Sequence, residues 1–162
     1  MGLPTVMVGL AILALSPSGA VAQTAPSPAQ RSLLLMEHSD KLLSSTDSLW
    51  GPTEQAIRSM DTNKLSLIGS IKNAALIAVE RMQAIRALLE LYELVEARQQ
   101  GAATQLINGA IDSYHRSIEG QLSQFDDLAA PSGARRYEEQ DAVAHVKAQL
   151  EHTLVVLKEV RL

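Results

Sequence analysis

The sequence predicts an all-α fold, an up-down antiparallel helical bundle of about four helices with one unusually long central helix. Three observations carry this expectation. Between Thr62 and Gln100, the residues Ile68, Ile71, Ala75, Ala78, Met82, Ile85, Leu89 and Tyr92 recur at alternating spacings of three and four. That spacing holds an apolar seam on one side of a helix. Elsewhere apolar residues again recur at helical spacing, and no stretch alternates apolar with polar between turn residues as a strand would. Aromatic residues make up only 3% of the chain, so Leu, Ile, Val and Ala must fill the interior, which suits helix-on-helix packing.

Taken in order, residues 1–22 read as a signal peptide. Met1 to Leu15 is apolar and uncharged, Ser16-Pro17-Ser18-Gly19 breaks any helix, and Ala20-Val21-Ala22 offers a small-x-small cleavage site. The n-region lacks Lys and Arg, a departure from the usual pattern. The expected destination is the periplasm or the medium, with no stable membrane span left after cleavage. Residues 23–28 read as a flexible leader and 29–162 as a single helical-bundle domain.

The first helix is expected from Ala29 to Ser48, with Leu35, Met36, Ser39, Leu42, Leu43, Thr46, Leu49 and Trp50 inward. Gly51-Pro52 should end it, since the residue before a proline avoids the helical region. Pro52 can also sit in the first turn of a short helical piece that follows through Met60. Asp61 can cap the long helix, because its carboxylate accepts from unpaired first-turn amides. Gly101 sits where a left-handed residue would close that helix. The third helix is expected over Ala102 to Ala129, with Ile107, Ile111, Tyr114, Ile118, Leu122 and Phe125 on one face. Ala130-Pro131-Ser132-Gly133 reads as a turn. The fourth helix is expected over Ala134 to Val160, with Val143, Val146, Leu150, Leu154 and Leu157 inward. At 1.5 Å per residue the long helix would reach roughly 57 Å against about 40 Å for its neighbours, so it should protrude, kink or be covered at one end.

Composition narrows the function. The net charge is −4 and the only basic doublet is Arg135-Arg136, so phosphate backbones would gain little and nucleic acid is not an expected partner. There is no cysteine, which removes disulfides, thiolate metal sites, covalent haem and cysteine nucleophiles. No phosphate-binding glycine loop, nucleophile elbow, His-Glu-x-x-His or Glu-x-x-His occurs, so neither an enzyme nor a bound cofactor is expected. His145 and His152 lie seven apart on the last helix with Asp141 one turn earlier, the weak candidates for a divalent metal. Leu76, Ile77, Leu91 and Leu94 lie off the main seam of the long helix. They are either covered by the first helix or the Pro52 to Met60 piece, or they form a surface for a protein partner or a homodimer. The expectation is an exported soluble bundle acting by protein–protein contacts, as scaffold, adaptor or chaperone-like factor. The alternative is a bundle binding a small ligand or a metal.

Overall fold

Among the described residues four long helices run alternately up and down, with a short helix between the first two of them. The computed structural model describes residues 25–128 and 137–162, without the side chains of 126–128 and 137–141. The elements are α1 (Pro28–Asp47), α2 (Trp50–Arg58), α3 (Thr62–Tyr92), α4 (Gln100–Leu128) and α5 (Tyr137–Glu159). No strand occurs among the described residues. The direction of each helix follows from its cross-links. Ser32 at the start of α1 meets Glu90 at the end of α3, and Tyr92 at that end meets Thr104 at the start of α4. Asp112 near the start of α4 pairs with Arg161 beyond the end of α5 at 2.8 Å. The proposed signal peptide and the Ala130 to Gly133 turn lie outside the described residues.

The helix starts have local causes. Ser27 and Gln30 form a capping box: Ser27 Oγ accepts from the Gln30 amide at 3.2 Å, and Gln30 Oε1 accepts from the Ser27 amide at 2.8 Å. Pro28 follows at the first helical position, where its missing N–H costs nothing. Asp61 caps α3, its Oδ1 accepting from the Lys64 amide at 2.9 Å.

One boundary differs from the expected ones and another differs only in its cause. The first helix ends at Asp47, within one residue of the expected Ser48 and ahead of Gly51-Pro52, which fall in the first turn of α2. Thr46 and Ser48 explain the early stop: their hydroxyls donate to the carbonyls of Leu43 and Ser45, both at 2.6 Å, competing with the helical ladder. As a result Trp50 begins a new helix and points outward. The long helix ends at Tyr92 rather than Gln100. Its end stands opposite the start of α1, so another two turns would find no α1 residues to pack against. The chain instead turns over through Leu94 and Val95 and a 3-10 turn at Ala97–Gln99. Gly101 becomes the second residue of α4, not a cap. With 31 residues against 29 in α4, the two helices span about 46 and 44 Å, while the 23 residues of α5 span about 35 Å, so the expected mismatch closes against α4 and persists against α5.

The core runs the length of the bundle. α3 packs against all four other helices and supplies Ile68, Ile71, Ala74, Ala75, Ala78, Val79, Met82, Ile85 and Leu89. Its three buried alanines let neighbouring backbones come close. α4 contributes Ile107, Ile111, Ile118, Leu122 and Phe125, and α5 contributes Val146, Leu150, Val156, Leu157 and Val160. Tyr92, Tyr114, Val143 and Leu154 are half-buried against this cluster. Met36 and Trp50 are exposed, contrary to the expected inward face of the first helix.

Candidate functional site

The polar side of α1 carries the most chemistry. Leu35, His38, Leu42, Ser45 and Leu49 recur at spacings of three and four and are all buried. This stripe turns α1 toward α5, where Val146, Gln149, Thr153, Val156 and Val160 repeat the same spacing. Because the two helices are antiparallel, positions seven apart on one meet positions seven apart on the other. His38 meets His152 and Thr153, and Ser45 meets His145.

The hydrogen bonds assign the His38 tautomer. Thr153 Oγ1 donates to the Gln149 carbonyl at 3.0 Å, so it has only lone pairs left for His38. His38 Nε2 therefore carries the proton and donates to Thr153 Oγ1 at 3.0 Å. That leaves His38 Nδ1 bare, facing His152 Nδ1 at 3.3 Å, and His152 Nδ1–H donates to it. The rings meet edge to face, with centroids 4.8 Å apart and planes at 75°. His38 is 2% exposed, whereas His152 lies at the rim of the seam. Burial first, then the neighbouring His152, lower the His38 pKa from 6.5 to about 4; a hydrogen bond to the Gln149 backbone opposes them and Lys41 adds to them.

Of the three weak metal candidates, His145 and His152 do not come together. His145 Nε2 lies 3.2 Å from Ser45 Oγ, one heptad away from the His38–His152 pair. The side chain of Asp141 lies outside the described residues. Among the described residues, no three His, Asp or Glu side chains gather closely enough to hold a metal by themselves. His38 was missed in the sequence because the apolar reading of α1 followed Met36 and Leu43. The spacing Leu35-His38-Leu42 was the signal that could have found it.

The apolar candidates are only partly covered. Leu76, Leu91 and Leu94 are exposed and Ile77 is half-buried. Leu91 lies in the last turn of α3 and Leu94 in the connection to α4, and Leu106 in the second turn of α4 is exposed as well. Leu76 and Ile77 lie about four turns back along α3 and belong to no common patch with them. The opposite end carries a ridge that sequence reading missed. Trp50 is 73% exposed and Ile57, seven residues on and so on the same side of α2, is 59% exposed. Met60 follows at 86%. An open groove of about 370 Å³ runs beside Trp50, lined by Leu49, Thr53, Leu65, Ile68 and Lys72 among others.

No protein-family model, no curated protein and no solved structure matches the chain. Fold and site together define its class, an all-α helical bundle with a histidine-bearing seam between its first and last helices. No helix among the described residues is long and apolar enough to cross a membrane.

Proposed function

We propose that the protein is exported to the periplasm or the medium and works there through protein–protein contacts, as a scaffold, adaptor or chaperone-like factor. The observation that carries this reading is the exposed Trp50 and Ile57 of α2, followed by exposed Met60 in the connection to α3, with an apolar-edged groove beside Trp50. Trp is among the residues most enriched at the energetic centres of interfaces, and contiguous exposed apolar surface on a bundle marks a contact site. Leu91 and Leu94, exposed where α3 gives way to α4, add apolar surface at the other end of α3. Trp50 is the only tryptophan, so its fluorescence reports on the ridge directly. Binding of a captured partner should shift its emission to the blue and remove quenching by iodide. The double variant Trp50→Ala/Ile57→Glu should keep its helical circular dichroism and lose the partner by tenfold or more. Undiminished capture by that variant would sink the reading. Light scattering at micromolar concentration separates a homodimer from a different partner.

The alternative, a bundle that binds a small ligand or a metal, draws its support from the histidine pair on the α1–α5 seam rather than from the grooves.

A further inference from the structure

We propose that His38 of α1 and His152 of α5 form an interhelical zinc site, with water completing the coordination. This rests on the alternative reading above and is independent of the contact ridge. The first observation is metric. Two nitrogens bound at 2.0–2.1 Å to one tetrahedral ion stand about 3.3–3.4 Å apart. Two in the cis positions of a square or octahedral ion stand closer, at roughly 2.9 Å. The two Nδ1 atoms here are 3.3 Å apart, the tetrahedral chord.

The second observation is the support behind His38. Metal-bound imidazoles almost always donate their other N–H to a fixed acceptor, which holds the ring and the tautomer. His38 Nε2–H donates to Thr153 Oγ1, itself held by the Gln149 carbonyl, so the Nδ1 lone pair is aimed at the seam before any ion arrives. Without metal, His152 Nδ1–H fills that lone pair. With zinc between the rings, the His152 proton moves to its Nε2 and both imidazoles bind as neutral ligands, with no net proton released. His152 lies at the exposed rim, so the ion enters from solvent and keeps water in the remaining positions. One ligand comes from the first helix and one from the last, so the ion ties the two ends of the chain together.

Three variants test the site on the full chain, by thermal unfolding in zinc after treatment with a chelator. At zinc a hundredfold above its Kd the unaltered protein should gain roughly 5–10 °C in Tm. His152→Ala changes a rim residue and should abolish the gain. His38→Gln keeps polarity in the buried position and should abolish it too. His145→Ala, one heptad away, should leave it unchanged. Cobalt(II) in place of zinc should give the intense visible bands of a tetrahedral ion, lost in His152→Ala. Equal zinc shifts in the unaltered protein and His152→Ala, or no shift at millimolar zinc, would overturn the proposal. Failure here leaves the ridge untouched, because neither histidine lies on it.

Discussion

A buried imidazole next to another imidazole makes folding depend on pH in a known direction. The folded chain holds the His38 pKa near 4, below its ordinary 6.5, so the unfolded chain binds the proton more readily. The stabilisation from neutral His38 is therefore complete above about pH 6.5 and is lost as pH falls through that value toward 4. His152 on α5 faces the ring, and Lys41 on α1 adds positive charge, so neither relieves the penalty of protonation. In metal-free buffer, the free energy of unfolding should fall between pH 7 and pH 4.5 by up to about 3 kcal/mol from this group. Urea titrations at several pH values measure it, with His38→Gln as the reference. Parallel curves for the two proteins would show that His38 does not carry the dependence.

At the scale of single elements, the α2–α3 connection holds an identifiable cost. Ser59 caps α2, and the Asp61 amide donates to the Ala56 carbonyl at 2.9 Å while the Met60 amide donates to the Ile57 carbonyl at 3.1 Å. That pair of bonds is a Schellman ending, and its left-handed position, normally glycine, is held by Met60 with φ of 54°. A side chain there costs about 1–2 kcal/mol. Met60 is almost fully exposed, so little packing offsets the cost. Met60→Gly should raise stability by about 0.5–1 kcal/mol, read from the urea midpoint at unchanged slope. A neutral or lower midpoint would mean that Met60 packs against something more than solvent. The same elements show what a sequence makes legible. The α3 seam was readable residue by residue, because Ile68 to Leu89 repeats on one face regardless of context. Its end was not, since no Pro or helix-ending Gly stands near Tyr92 and the stop depends on where α1 begins. The end of α1 was legible within one residue, but its cause was not. Gly51-Pro52 are strong local signals, but the hydroxyls of Thr46 and Ser48 act first. With α1 ended before it, Trp50 lies exposed rather than in the expected core, and His38 takes a place in the seam.

For the whole molecule, what closes the bundle is the meeting of its two ends. Arg31, in the first turn of α1, is buried against the last turn of α5. Its Nε donates to the Pro26 carbonyl at 2.9 Å, and one guanidinium nitrogen donates to the carbonyls of Glu159, at 3.2 Å, and Arg161. A helix leaves its last carbonyls without internal partners and carries partial negative charge there, so a buried guanidinium satisfies both needs at once. Asn108 adds a second clasp from α4, its side chain bonding both the N–H and the carbonyl of Leu162. The Arg31 links to Glu159 and Arg161 join segments about 130 residues apart. They form only when α1 and α5 are both in place. Arg31→Ala should therefore cost about 2–3 kcal/mol, since hydrogen bonds to a charged group are worth more than neutral ones. Arg31→Lys should recover only part of this, because an ammonium cannot reach three carbonyls in the fixed planes of a guanidinium. Hydrogen exchange gives the sharper test. In Arg31→Ala the amides of the last two turns of α5 should exchange faster, while those of the α3 seam change only with global stability. If α5 and α3 amides accelerate equally, Arg31 contributes to stability without acting as a clasp on the end of α5.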